Sequence, residues 1–485
     1  MSVLKGLEPA NVWKIFEEIS AIPRGSYNEK AVSDYVVRFA KEHDIKCRQD
    51  ELGNVILHKP ATKGYEDEKG IILQGHLDMV CEKKKSSDHD FMKDGLKLKV
   101  KDGIISAKDT TLGADDGVAV AMALALMEDK SLKHPRMYAI FTVSEEVGME
   151  GALGIDVSKV KAKRIINIDS EDEGIFTVGC AGGVTCEVMM NINREKQKGF
   201  PVTIEVGNLV GGHSGTEIHK NRANASKLLG RVLNQLRSED IEFYLKSMHG
   251  GTKQNAIPVN ATADLIVKKK MIQPLTDIVA RMQTELAAEF AVSDPELSVT
   301  VNVDKKNKTV ENVLDARSFR HAMTLLNTTP NGVVSYSQNV EGLVETSVNL
   351  GIMSIDKKNG SFVFLLRSSL ESAKHSLLYN IKNLCEVVNA EFNISGDYPA
   401  WEYRADSPLR DKAVALFEEM FDKKPQINII HAGLECGIFS SKIHNMDAIS
   451  IGPDMWDIHT VNERLSVEST ARTYAFLRAL VERKG

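Results

Sequence analysis

KGIILQGHLDMV, residues 69–80, is an isoleucine-rich apolar run that stops at a histidine and an aspartate placed two apart. A short run without polar alternation reads as a strand buried on both faces, and the switch to His76 and Asp78 marks its carboxyl end. The same punctuation recurs three times. MYAIFTV runs into Glu145 and Glu146, AKRIINI into Asp169, and MDAISIG into the segment that carries His459. GNVILHK adds a further strand, and Gly117–Glu128 reads as a buried helix. This alternation predicts an α/β domain, a mostly parallel sheet flanked by helices. In such sheets ligands collect at the carboxyl ends of the strands, so four strand ends deliver polar groups to one crevice.

Working outward, Val12, Ile15, Phe16 and Ile19, then Val32, Tyr35, Val36 and Phe39, recur at helical spacing on either side of Pro23 and Gly25, predicting two opening helices. From about Gly183 the pattern changes: PVTIEVGNL and ATADLIVK alternate polar with apolar, as a sheet with one open face does. A second, α+β domain is expected over 184–397. Its βα order with antiparallel neighbours resembles a ferredoxin-like arrangement, long enough for two copies although no repeat shows in the sequence. GDYPAW, residues 396–401, marks a return, after which QINII and MDAISIG are again buried strands and a last helix starts near Ser466. The first domain is therefore expected over 1–183 and 398–485, with the second inserted into it as a lid.

At 485 residues, 42% of them hydrophobic, the chain exceeds what one core usually supports, which agrees with two domains. A net charge of −6 without any long Lys/Arg block argues against nucleic acid as a partner. The longest apolar stretch, Val118 to Met127, is half a membrane span, so no membrane insertion is expected. MSVLKGLEPANVW lacks the basic and apolar regions of a signal peptide, and the six cysteines form no CxxC pair, which suits reduced thiols in the cytoplasm. A small-molecule partner is the expectation.

Taken singly, an acidic residue after a strand is a common turn former and a lone histidine is usually a packed or surface residue. Taken together, His76, Asp115, Glu145, Glu146, Asp169 and His459, with Asp78 behind them, fit two divalent ions and a general base. Residues two apart at a strand end point the same way, so Asp78 can accept a hydrogen bond from His76 and fix its tautomer for metal binding. Asp115, in GADDG, is expected to open a helix, and its two oxygens can bridge two cations. Of the adjacent Glu145 and Glu146, one is read as a ligand and the other as the base that takes a proton from water. Histidine and carboxylate ligands without thiolate suit catalytic Zn²⁺, with Mn²⁺ or Co²⁺ as substitutes. The natural reaction of such a pair is amide hydrolysis.

With GHLDMV, TTLGADDG, SEEVGMEGA, GCAGG, GGHSG, NAIP, HAGLECG and a histidine shortly before NERLSVES, the whole chain resembles the aminoacyl-histidine dipeptidase (peptidase D) family of co-catalytic zinc peptidases, related to carboxypeptidase G. The resemblance implies that Asp115 bridges two zinc ions, that His76 and Asp169 complete one site and Glu146 and His459 the other, and that Glu145 is the general base. It also implies that His213 reaches into the site to support the oxyanion, and that Asn255, Arg367 and the segment Gly433 to Glu435 lie near the substrate termini. The expected substrate is a small unblocked peptide, a dipeptide including the Xaa-His type. An aminoacylase, deacetylase or tripeptidase on the same scaffold, or a non-catalytic peptide-binding protein, competes with that reading. Relatives with a lid half this size dimerise through it, so a homodimer and a monomer are both open. GGHSG does not make a serine nucleophile, because the second position after Ser214 is Thr216 and not glycine. His431 is a further substrate-pocket candidate.

Overall fold

The structure, a computed structural model, describes residues 2–484. The chain separates into two compact units, one of Met1–Cys180, Trp401–Ile429 and Leu434–Gly485, the other of Ala181–Ala400 and Ile430–Gly433.

An eight-stranded sheet organises the first unit, in the order Lys46–Gln49, Val55–Lys59, Met137–Thr142, Ile71–His76, Arg164–Asn167, Asp447–Ser450, Ile175–Cys180, Gln426–Ile430. The four central strands from Met137–Thr142 to Asp447–Ser450 pair in parallel. These are the apolar runs read from the sequence, and Ile71–His76 and Met137–Thr142 are buried at every position. Antiparallel strands flank them, making the sheet mixed. Lys46–Gln49 turns into Val55–Lys59 through five residues, too few for the crossover that a parallel pair requires.

Helix Ala114–Glu128 packs on the two central strands Ile71–His76 and Met137–Thr142 and is buried from Ala114 to Met127. Being apolar all round, it serves as core on every face, with the opening helix Ala10–Ser20 laid over it. Farther along the sheet, Pro408–Phe421 lies on Asp447–Ser450 and against Val467–Glu482. A small antiparallel sheet of Leu98–Lys101, Ile104–Ala107, Arg464–Ser466 and Met455–Trp456 carries the loop that holds His459 between its last two strands.

In the second unit, a sheet of antiparallel pairs follows the path Ser298–Val303, Arg194–Gly207, Ala261–Val267, Phe243–Gly250, Val344–Ile355, Asn359–Ser368, Gly182–Asn191, Glu391–Tyr398. Along the chain, four of these strands and two helices follow a β-α-β-β-α-β order: Arg194–Gly207, Ala225–Ser238, Phe243–Gly250, Ala261–Val267, Ile272–Glu289, Ser298–Val303. The other four repeat it: Gly182–Asn191, Ala316–Thr328, Val344–Ile355, Asn359–Ser368, Glu371–Val388, Glu391–Tyr398. Two ferredoxin-like units are thus present, the first inserted between the first strand and first helix of the second. They join edge to edge where Met248–Gly250 pair with Met353–Ile355. Leu229, Val232, Leu233, Leu326, Phe362 and Phe364, all fully buried, belong to one core shared by both, and burial of each such side chain stabilises by about 1.5–3 kcal/mol.

Candidate metal centre

Three carboxylates and two histidines meet at the carboxyl ends of the central strands. His76 ends its strand 1% exposed. The Asp115 carboxylate stands between two imidazoles, with Oδ1 3.0 Å from His76 Nε2 and Oδ2 3.0 Å from His459 Nε2. Glu146 Oε2 lies 3.0 Å from the same His459 nitrogen, and Asp169 Oδ1 lies 3.6 Å from His76 Nε2. Glu145 offers an oxygen within 4.8 Å of ligand atoms on His76 and Glu146, and its carboxylate makes no hydrogen bond among the described residues. Asp116, which was not anticipated, groups in the same way with His76 and Asp169.

The supporting contacts explain how loops hold these positions. Asp78 Oδ1 lies 3.3 Å from His76 Nδ1, near enough for ionic attraction although the ring N–H is not aligned on it. The same carboxylate accepts the backbone N–H groups of Glu145 at 3.0 Å and Glu146 at 3.2 Å and the Ser26 hydroxyl at 2.8 Å. One aspartate therefore ties the end of the His76 strand to the turn bearing both glutamates. Ser144 enters that turn with φ 53°, a left-handed conformation that costs a non-glycine residue energy, and Glu29 braces it by accepting both its N–H and its hydroxyl at 2.9 Å.

Asp115 stands in the first turn of Ala114–Glu128, as expected, but its own backbone is not helical. With ψ 107° it is extended, Asp116 is also non-helical, and regular helix follows them. A buried carboxylate from the His459 loop sets this conformation. Glu463 accepts the N–H groups of Leu112 at 2.7 Å, Gly113 at 2.9 Å, Ala114 at 2.8 Å and Asp115 at 3.4 Å. Arg24, 2% exposed, donates to the carbonyls of Leu77 and Asp78 at 3.0 and 2.9 Å and to that of Gly113. Gly113 has φ 63°, and a Cβ there would lie 2.5 Å from Arg24 Nη2, so glycine serves both the turn and the guanidinium. The sequence reading missed Arg24 and Glu463: an arginine beside Pro23 and a glutamate inside NERLSVES look like solvated residues until the fold buries them.

The charges are unbalanced. Burial raises Glu145 well above the usual carboxylate range, helped by Asp169 and Glu146, and raises Asp169 to about 6. Burial acts to lower His76 and His459, yet Asp115 with Asp169 or Glu146 overrides it, raising His76 well above its ordinary value and His459 to about 11. Burial acts to raise Asp115, but the two histidines hold it below the usual range. Glu146 Oε1 and Asp116 Oδ1 are buried with no hydrogen-bond partner. A buried carboxylate oxygen without a partner is costly unless a cation pairs with it. The donor set of imidazole and carboxylate without thiolate fits divalent metal ions.

Glu435, expected near the substrate, is 0% exposed; its Oε2 accepts from Gln74 Nε2 at 2.5 Å and from Thr142 Oγ1 at 2.6 Å, and burial raises its pKa to about 8. His213, Asn255, Arg367 and Gly433 belong to the second unit. There His213 N donates to Glu217 at 3.0 Å, and burial together with Arg367 lowers the imidazole pKa. His213 lies on the two-residue strand Gly212–His213 and pairs with Ala256, the neighbour of Asn255. Arg367 Nη1 donates to the Tyr398 hydroxyl at 2.8 Å and leaves Nε without a partner, and His431 Nε2 lies 2.7 Å from Ser347 Oγ.

An α/β sheet that gathers histidines and carboxylates at the ends of its parallel strands, around one carboxylate facing two of the histidines, defines a class of metal-dependent hydrolases. Within that class, the chain belongs to the peptidase family M20/M25/M40, whose pattern residues 72–483 match. It is 37% identical over 484 residues, 99% of each chain, to the cytosol non-specific dipeptidase of Escherichia coli. The structure of an aminoacylhistidine dipeptidase from Vibrio alginolyticus superposes with a TM-score of 0.92 at 33% identity, covering 99% of this chain and 98% of that one. Aminopeptidase PepT from Bacillus cereus, at 15% identity and a TM-score of 0.57 over 98% of both chains, shares the fold.

Proposed function

We propose that this chain is a cytoplasmic dipeptidase that hydrolyses unblocked dipeptides, including the Xaa-His type, with two divalent cations, zinc by donor chemistry. The observation that carries the proposal is the Asp115 carboxylate, each of whose oxygens faces a different histidine at 3.0 Å. His76 and Asp169 would hold one cation and Glu146 and His459 the other, with Asp115 shared between them. Two such cations supply Lewis acidity toward a peptide carbonyl and lower the pKa of bound water to about 7. The protein's part is proton handling and order. Glu145, whose carboxylate makes no hydrogen bond among the described residues, takes the water proton and returns it to the leaving amine nitrogen as the C–N bond breaks. Asp78 keeps His76 and the Glu145–Glu146 turn in register. The roles of His213, Asn255, Arg367, Gly433 and Glu435 toward substrate rest on the family resemblance, and substitution of each with separate readout of kcat and KM tests them.

The substrate choice is supported by the relatives named a non-specific dipeptidase and an aminoacylhistidine dipeptidase, at 37% and 33% identity over nearly the whole chain. A panel of dipeptides, tripeptides and N-acyl amino acids, assayed with metal-stripped protein restored by Zn²⁺, Mn²⁺ or Co²⁺, tests it. Turnover of N-acyl amino acids or tripeptides in preference to free dipeptides would replace the reading.

A further inference from the structure

The outer strands Lys46–Gln49 and Val55–Lys59 and the amino-terminal end of Met137–Thr142, opposite to the strand ends that carry His76 and Asp169, line a cavity of about 430 Å³, a size typical of small-molecule sites. Cross-strand register sets Lys46 opposite His58 and His58 opposite Tyr138, so these three side chains stand in a row on one face. The alternate positions Val55 and Leu57 are fully buried on the other face. The His58 and Tyr138 rings stack at 4.7 Å between centroids and, with Ile56, make an apolar floor. Lys161 N donates to the Tyr138 hydroxyl at 3.2 Å and brings the segment 159–161 to the cavity wall.

The rim carries a single sign of charge. Lys46, Arg136, Lys159 and Lys161 are exposed, line the cavity and have no carboxylate partner among the described residues. Arg48, the remaining cation, is held by Asp156. Among the described residues no aspartate or glutamate lines the cavity, in a chain whose net charge is −6. An adjoining cavity shares Lys161 and adds Lys163 and Lys69, again without a lining carboxylate. Burial, then Arg136 and Lys46, lower the His58 pKa, so its ring stays neutral and suited to stacking.

We propose that this cavity binds a small organic phosphate, with a planar body lying on the His58–Tyr138 floor and the phosphate taken by Arg136 and Lys161 at the rim. Unpaired cations around a concave, low-dielectric wall focus positive potential, and a planar ring matches the stacked floor. The site lies outside the hydrolytic centre and does not depend on the function proposed for it.

Adenosine monophosphate is the probe, with adenosine and inorganic phosphate as its two halves, in calorimetric titrations of the metal-loaded protein at about 0.15 M salt. The expected result is saturable binding of the nucleotide, tighter than either half and at least about tenfold weaker in the double variant R136A/K161A, because each bond to an ionised partner contributes more than about 1.4 kcal/mol. Both substituted residues are exposed, and unchanged dipeptide turnover confirms that the variant is folded. Absence of saturable nucleotide binding, equal binding of adenosine, or wild-type affinity in the variant would each overturn the proposal.

Discussion

Glu463→Gln preserves the shape of a buried side chain that accepts four consecutive backbone N–H groups and removes its charge. In the wild type one oxygen serves Leu112 and Gly113 and the other serves Ala114 and Asp115. A hydrogen bond to a charged acceptor contributes about 1.5–3 kcal/mol. Glutamine keeps one acceptor oxygen and turns an NH₂ group toward the two donors that the other oxygen held, so two bonds are lost, about 3–6 kcal/mol in the loop that presents Asp115. Relaxation absorbs part of this, and substitution of a group that orients ligands usually costs 10–100-fold in metal affinity. The expected outcome is weakening of about that size for zinc, with kcat lowered and partly restored by excess zinc. Competition against a chromophoric chelator reads both affinities, and melting in chelator checks the fold. Two zinc ions held with wild-type affinity in Glu463→Gln, while His459→Ala loses one, would refute the claim that Glu463 positions Asp115. Two tight zinc ions in both variants would instead refute the metal centre itself.

Glu145→Ala is expected to abolish dipeptide turnover with metal content still near two per chain by elemental analysis, since the carboxylate is assigned to proton transfer; unchanged kcat removes it from the mechanism. Zinc binding should release protons, because His76 and His459 carry pKa values raised above neutrality by Asp115 and its neighbours and must be neutral to act as ligands. The sign follows: affinity falls as pH falls, and calorimetry in two buffers of different ionisation enthalpy counts the protons. Gly452→Ala would place a Cβ 1.5 Å from the Ser170 carbonyl oxygen, a backbone atom that has nowhere to go, so the strand end beside Asp169 must shift. A cost of about 1–3 kcal/mol or more is expected in chemical denaturation, and wild-type stability would show that the contact relaxes freely.

The four central strands of the first unit were legible because burial on both faces leaves no polar alternation to confuse the reading, whereas QINII, read as a buried strand, is the edge strand Gln426–Ile430, in which only Ile429 is buried. The outer strands were harder to place, since their antiparallel pairing depends on which neighbour a short connection reaches. In the second unit Gly182–Asn191, Phe243–Gly250 and Ala316–Thr328 were not read as separate elements, and they are the pieces that complete the two ferredoxin-like units. Ala316–Thr328 shows why. Asp315 caps it by accepting the Ser318 N–H at 2.7 Å, but its buried face is only Ser318, Ala322, Met323, Leu325 and Leu326, set among arginine, histidine and threonine. Nesting one unit inside the other also breaks the linear period by which a repeat would be recognised.

The chain alone singled out the acids and histidines that the structure gathers into one cluster. Acids and histidines placed where apolar strands end have few structural reasons to be there, and spacing exposes them. Tertiary structure decided how they are held. Arg24 and Glu463 lie 53 and 350 residues from backbone groups they bind, Leu77 and Gly113, and a buried charge that binds main-chain atoms leaves no trace in residue type at its partner. Whether a polar side chain is solvated or locked inside depends on what the fold lays over it, and that is set by contacts between segments far apart along the chain.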